Sequence, residues 1–534
     1  MKRMRAEWLL AAIVVVYAAA AIFAMRKSST TFDEIVMIAG GARGYQTGDW
    51  LLAPEHPPVT QYVYGLLPYL AGAQYPDESR IADARRRHMG YRYEYAQGFF
   101  WNVGNDPERL AFLGRLPAVL FAIALIVAAF AFTRTYYGSA AGLGAATLVA
   151  FLPDMLAHGG IAYNDIAVAC AFFAAMWRLD VAIRKPVLSN ALLAGATTGL
   201  ALGIKNSAVG LALLAVLLLS AEAFNSWRAA EWRKRVAVAA AITVLAMYVT
   251  LVIIYRGDAT LTEYRYALSF VFRQVADTRA PAYLLGRIST EGFWYYFPVS
   301  FLLKTSAAWQ LLFLLATFFY ITRLRSVQQL LASPLRAPAL GALVFAFMLA
   351  RSQLHIGFRY ALPILPLLAV LVAPAVVQIW SRNWHRLRPV VAIAMAWLII
   401  HPLTYFPNFL AYVNEYGPGR DRGYEVFADS SLDWGQGLLQ LRDYMREHDI
   451  GRVYLSYFGS ALPAGYGIDY EPLPSFFALP RIAAEPRPQP QYAAISATHL
   501  TGVYFGAADP YRRFREMQPD HVIGHTIFLY RINE

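Results

Sequence analysis

The 534-residue chain has a single cysteine, Cys170. That excludes a disulfide framework and any zinc site built on paired Cys-x-x-Cys elements. It is also poor in charge. Asp, Glu, Lys and Arg make up 15% of the residues, against roughly 25% in a soluble globular domain. It has no Asp-x-Asp triplet, no Walker-type phosphate loop and no Gly-x-Gly-x-x-Gly turn, so no motif is present for gripping a soluble nucleotide. Internal repeats and heptads are missing as well. The 36 glycines and 29 prolines are ordinary for this length, which excludes collagen and low-complexity chains.

What the chain has is apolar surface. Hydrophobic residues make up 58%, more than one soluble core can bury, and they are gathered into runs. A bilayer core of about 30 Å needs roughly 20 apolar residues in a helix. The first run, Trp8 to Met25, follows Lys2, Arg3 and Arg5. It is long and has no small-x-small cleavage site before Arg26, so it reads as a retained first helix. Further runs cover 110–132, 138–154, 161–182, 188–204, 206–224, 236–255, 306–322, 338–354, 359–380 and 389–406. The expected fold is a mainly α, polytopic membrane bundle of about eleven spans.

Lysine and arginine in short loops set direction. With the N-terminus inside, the short inner loops hold Arg134; Arg184 and Lys185; Arg228, Arg233, Lys234 and Arg235; Arg323, Arg325 and Arg336; and Arg382, Arg386 and Arg388. The short outer loops hold Lys205, Arg351 and Arg359. The net charge of +12 is therefore read as a topology signal, with no nucleic-acid partner. Two outer segments are long, 26–109 and 256–305, and long loops are usually functional. In the first, Ile35 to Tyr45 and Val59 to Ala73 are amphipathic and suit helices lying in the membrane interface. After residue 406 the apolar runs shorten to strand length, as in Val453 to Phe458, Tyr492 to Ser496 and Thr526 to Tyr530, and Leu438 to Met445 reads as a helix. The chain divides into a membrane domain, 1–406, and a small outer α/β domain, 407–534.

Ionisable residues at a bilayer are expensive and usually functional. On the outer face lie Asp33 and Glu34, Glu55 and His56, Asp154 and Asp165, with Lys205, Lys304, His355 and Arg359. Each has a plainer reading. Asp33-Glu34 and Asn164-Asp165 suit helix caps, Pro57-Pro58 suits a stiff turn, and Lys205 suits a side chain snorkelling to headgroups. Their gathering on one face suggests more. Cations there suit a lipid-linked phosphate, and a carboxylate suits proton removal from an attacking hydroxyl or amine.

Phe32-Asp33-Glu34 directly after the first span, Glu55-His56-Pro57-Pro58, Asn164-Asp165, Lys304-Thr305 and Gly357-Phe358-Arg359-Tyr360 with Pro363 together resemble the family 39 branch of the C-type membrane glycosyltransferases. Relatives there include protein O-mannosyltransferases and bacterial lipid A aminoarabinose transferases. The resemblance covers about 1–406. It implies an inverting displacement in which a polyprenyl phosphate sugar is the donor and a protein, lipid A or a surface glycan the acceptor, at the outer face of a bacterial inner membrane. It implies Asp33 as general base, Glu34 as its support or a local anchor, and Asp165 as a second carboxylate lining the cavity. Lys304 and Arg359 would contact the donor phosphate, with Lys205 and His56 near it. Glu55 matches a position that helps bind a divalent metal, and His56 stands where relatives have a lysine. Asp429 to Gln436 and Tyr457 to Ser460 resemble an outer domain of bacterial members, to which no activity attaches. The competing reading is a multi-span transporter or flippase, which would show paired halves; none are visible.

Overall fold

A computed structural model describes residues 2–78, 90–225, 230–277, 280–323, 326–381, 384–481 and 489–532. Each of the eleven apolar runs holds an α-helix. Six helices among the described residues are long and apolar enough to cross a membrane: Arg5–Lys27, Pro107–Tyr137, Asn164–Arg184, Asn206–Phe224, Ala230–Ile254 and Ile364–Ser381. Tyr296–Lys304 and Ala307–Arg323 pass the same test as a pair bent by 111°, and Ser139–Ala150, Leu188–Leu202 and Arg388–Leu403 are apolar but shorter. Large apolar side chains such as Leu245, Ile253, Phe318, Ile321 and Ile393 stand exposed on these helices, as a lipid-facing surface requires. The chain is a multi-pass membrane protein.

Local chemistry explains the helix ends that matter. Asp106 caps the longest helix, its Oδ1 accepting from the amides of Glu108 and Arg109 at 3.0 and 3.1 Å, with Pro107 in the first turn. Both helices foreseen in the first long loop form, as Glu34–Thr47 and Val59–Leu70. Their placement differs. Val59–Leu70 exposes Leu66, Tyr69 and Leu70, as an interfacial helix should. Glu34–Thr47 is buried from Glu34 to Gly44. Two glycines cause this. A Cβ on Gly41 would lie 2.0 Å from the Gln61 carbonyl oxygen, and one on Gly65 would lie 2.1 Å from the Gly41 carbonyl carbon. The two backbones touch, and the first helix is drawn into the protein.

Asn164–Arg184 and Asn206–Phe224 start at one end of the bundle and finish at a buried ionic network at the other. There Arg336 Nε donates to Asp180 Oδ1 at 2.6 Å, its Nη1 to Glu222 Oε2 at 2.5 Å, and Arg184 Nε to Asp180 Oδ2 at 2.8 Å. Asp165 and Asp180, and likewise Asn206 and Glu222, stand about 15 residues apart, which at 1.5 Å each separates the two ends by about 23 Å. Arg336, counted above as an inner-loop charge, is buried in this network. Arg228, Arg325 and Arg382 lie outside the described residues.

The last part of the chain carries a five-stranded sheet in the order β4-β3-β5-β7-β6. Its strands are β3 (Val453–Ser456), β4 (Tyr470–Pro472), β5 (Tyr492–Ser496), β6 (His521–Ile523) and β7 (Ile527–Arg531), numbered after a short β1–β2 hairpin at Ala282–Leu284 and Arg287–Ser289. β3 pairs in parallel with β4 and β5, and β7 pairs antiparallel with β5 and β6. The Leu438–Glu447 helix buries Leu438, Leu439, Leu441 and Met445 in one apolar cluster with residues of this sheet.

Candidate active site

The site grows from the turn between the first helix and Glu34–Thr47. Glu34 fixes that turn. Its Oε2 accepts from the Thr31 amide at 2.7 Å and its Oε1 from the Ala162 amide at 2.7 Å. Arg115 grips both oxygens, Nε to Oε1 at 2.9 Å and Nη2 to Oε2 at 2.8 Å, and donates onward to the carbonyls of Met25, Ser28 and Ser29. Burial works to raise the Glu34 carboxyl, but Arg115 and the two amides hold it below the usual range. Every bond of Glu34 ends in the fold, so its place is that of the local anchor.

Asp33 faces the other way. It holds the N-cap position, yet its side chain makes no capping bond. Its Oδ1 accepts from the Tyr93 hydroxyl at 2.9 Å, and the residue lines a cavity of about 480 Å³. Glu55, His56, Arg92, Lys205 and Arg359 line the same cavity. The plain capping reading of Asp33 therefore fails.

The cations are held in two groups. Arg92 pairs with Glu55. Lys205 and Arg359 converge on Asp165, Lys205 on Oδ1 and Arg359 Nη1 on Oδ2 at 3.3 Å. Asp165 lies in the first turn of Asn164–Arg184, makes no cap, and lines a smaller cavity of about 100 Å³ shared with Lys205 and Arg359. It sits behind the cations and aims them. Arg359 also lies over the rings of Trp434, Tyr360 and Tyr163, at 4.4, 4.9 and 5.1 Å. His56 Nε2 is 3.2 Å from the Tyr163 hydroxyl and 3.7 Å from Glu55 Oε1. Burial holds the His56 imidazole below its ordinary range.

Lys304 is placed elsewhere. Its buried ammonium donates to the carbonyls of Leu410, Tyr412 and Ser431 at 2.9, 3.0 and 2.9 Å, with Asp154 Oδ1 at 3.8 Å. An ammonium has three donors, and all three are taken. Lys304 ties the bend after Tyr296–Lys304 to the following segments and does not line the cavity, so the expectation that it contacts a phosphate is corrected. Metal binding through Glu55 also finds a poor donor set. Among the described residues no three His, Cys, Asp or Glu side chains gather as ligands. Glu55 offers one oxygen without a hydrogen-bond partner, while Arg92 occupies the other. An all-protein closed site takes about four ligands, which Glu55 and His56 do not make up; an ion held by one carboxylate together with a substrate phosphate would need only what Glu55 offers.

Arg92, Tyr93, Tyr163 and Trp434 were not singled out in the sequence, and Tyr360 only as part of the Arg359 motif. Arg92 is one of several arginines in a polar stretch, and nothing in its spacing marks it. Trp434 lay in a motif already noted, Asp429 to Gln436.

Residues 93–255 match the family model described as dolichyl-phosphate-mannose-protein mannosyltransferase. No curated protein matches the chain. Among solved structures it is similar to ArnT from Cupriavidus metallidurans in the apo state, with 16% identity and a TM-score of 0.50 over 75% of this chain and 66% of that one. ArnT bound to undecaprenyl phosphate gives 17% and 0.49 over 74% and 65%. The archaeal oligosaccharyltransferase AglB from Archaeoglobus fulgidus, in complex with an inhibitory peptide and a dolichol-phosphate, gives 12% and 0.49 over 78% and 57%. The chain spans just under two thirds of the length of the ArnT chains. In its fold, and in a family match that opens at Tyr93 on the cavity wall, the chain resembles the family 39 type of membrane-embedded glycosyltransferase.

Proposed function

We propose that the protein moves a sugar from a polyprenyl phosphate donor to an acceptor hydroxyl or amine, with inversion, at the outer face of a bacterial inner membrane. One observation carries this reading: a carboxylate free of any capping duty, Asp33, shares a cavity with three cations, Arg92, Lys205 and Arg359. The family model's description, which names a lipid-phosphate sugar as donor, supports the donor class.

The chemistry balances with one carboxylate. Asp33 takes the acceptor's proton as its oxygen or nitrogen attacks the anomeric carbon. The bond from that carbon to the phosphate oxygen breaks on the opposite face, and its electron pair leaves with the phosphate. A phosphodiester with one charge becomes a monoester with two. Preorganised cations that meet this new charge lower the barrier, and Arg92, Lys205 and Arg359 are in place for it. Tyr93 orients Asp33. Asp165 and Glu55 hold the cations without filling the cavity. No step is assigned to a metal.

The test is release of free polyprenyl phosphate by detergent-purified protein given polyprenyl phosphate sugars and an envelope extract. Losing a positioned general base lowers rate about 10²- to 10⁴-fold, so Asp33→Asn should lose that much and still bind donor. Wild type that consumes no such donor across several sugars would overturn the proposal and favour transport.

A further inference from the structure

The segment Asp429 to Leu438 touches both halves of the site. Toward the Asp33 turn, the Ser29 amide donates to the Gln436 carbonyl at 3.0 Å and the Phe32 amide to the Trp434 carbonyl at 2.9 Å. Ser29 Oγ donates to the Gly435 carbonyl at 2.8 Å and accepts from the Leu438 amide at 3.0 Å. Toward the Arg359 turn, Ser430 Oγ accepts from Arg359 Nε at 2.9 Å and donates to the Ile356 carbonyl at 2.9 Å. Ser431 Oγ accepts from the Phe358 amide at 2.8 Å. The approach is close: a Cβ on Gly357 would lie 2.1 Å from Ser430 Oγ. The Trp434 ring lies 4.4 Å from the Arg359 guanidinium carbon and edge-on to Tyr163 at 5.4 Å.

The segment is itself fixed from beyond β5. The Thr498 amide donates to Asp433 Oδ2 at 3.1 Å, Thr498 Oγ1 donates to the Asp433 carbonyl at 3.0 Å, and the Asp429 amide donates to Thr498 Oγ1 at 2.9 Å. Residues from the C-terminal part of the chain therefore tie the carboxylate turn and the cation turn to one another.

We propose that Trp434 and Ser430 are positioning residues for Arg359, and that the C-terminal part of the chain sets the spacing between Arg359 and Asp33. Trp434 supplies a π-face that fixes the guanidinium plane, and Ser430 takes its Nε–H; Nη1 reaches Asp165 and Nη2 makes a long contact of 3.5 Å with the Tyr360 hydroxyl, so each terminal nitrogen keeps one N–H for a phosphate. The ligand class rests on the function proposed above.

The test is a double-mutant cycle on undecaprenyl phosphate binding by the full-length protein, read by native mass spectrometry. A desolvated cation–π contact gives an effect of about thirtyfold, so Trp434→Leu should weaken binding about thirtyfold and Trp434→Phe should restore most of it. In an Arg359→Gln background, Trp434→Leu should add less than about twofold, because it acts through Arg359. Ser430→Ala, a smaller change, should weaken binding severalfold and lose its effect in the same background. It decides the matter if Trp434→Leu fails to fold. Losses that add to that of Arg359→Gln, or wild-type binding in both variants, overturn the inference and leave the proposed function standing. Wild type that binds no undecaprenyl phosphate overturns the function first, and this inference with it.

Discussion

Two adjacent carboxylates show how little side-chain type decides. Asp33 and Glu34 look alike as a pair near a helix start. One faces a cavity; the other is locked by Arg115 and two amides. Removing one partner of a buried ion pair costs about 3–5 kcal/mol. Glu34→Gln should therefore lower the thermal midpoint in detergent markedly, whereas Asp33→Asn should leave it near wild type. Equal shifts would return Asp33 to a structural role. The sequence showed both residues but not their division of labour, because that depends on Arg115, 81 residues away. Asp433 gives a second prediction at this scale. Burial raises its carboxyl to about 7, against the lowering pull of the Thr498 and Gly435 amides, while an unfolded Asp titrates near 3.9. The folded state thus holds a proton that the unfolded state has lost. Stability is greatest below about pH 4 in this respect and falls as pH rises toward about 7. Asp429, raised by burial to about 6, acts in the same sense. Thermal midpoints from pH 5 to 8 should decline in wild type and decline less in Asp433→Asn; parallel curves would refute the assignment.

At the scale of elements, periodicity located the pieces and missed how they pack. The short runs Val453 to Phe458, Tyr492 to Ser496 and Thr526 to Tyr530 became β3, β5 and β7 because β-branched and aromatic residues suit a pleated surface. The helix after Asp33 was legible, but its burial was not. Amphipathicity alone cannot tell a helix on the membrane surface from one enclosed by its neighbours. The contact of Gly41 with Gly65 decides it, and a glycine pair so far apart in sequence carries no visible signal. Gly41→Ala should therefore push the two helices apart. Overpacking of this kind destabilises by about 1–3 kcal/mol, and it should also slow donor turnover, since Asp33 sits at the start of the same helix. Gly48 is the control: a Cβ there meets nothing within 4 Å, but its φ is +77°, so Gly48→Ala would act only through local backbone strain. Turnover lost with Gly48→Ala and kept with Gly41→Ala would reverse this argument.

Over the whole molecule, two helices join the cavity to the Arg336 network, Asp165 to Asp180 and Asn206 to Glu222, across about 23 Å, and on the proposed reading these two charged regions face opposite membrane surfaces. The orientation expected from loop charge puts the network end in the cytoplasm. That assignment does not need Arg336, which is buried, because Arg134, Arg184, Lys185, Arg233, Lys234 and Arg235 remain. The C-terminal sheet belongs to the cavity end, since Asp429 to Leu438 binds both site turns. A single native cysteine makes this directly testable. In a Cys170→Ser background, Gly451→Cys stands on the exposed approach to β3, and Gln328→Cys stands exposed in the Val327–Ala332 helix. Arg184 ties that helix to the network end by donating to the Ala332 and Ser333 carbonyls. A membrane-impermeant maleimide should label Gly451→Cys on intact spheroplasts and reach Gln328→Cys only after permeabilisation. The reverse pattern would turn the protein over and place the cavity at the cytoplasmic surface, where an outer-face acceptor could not reach Asp33. Labelling of both in intact spheroplasts would break the inference that the two helices span the membrane, and with it the separation of site from network on which the orientation depends.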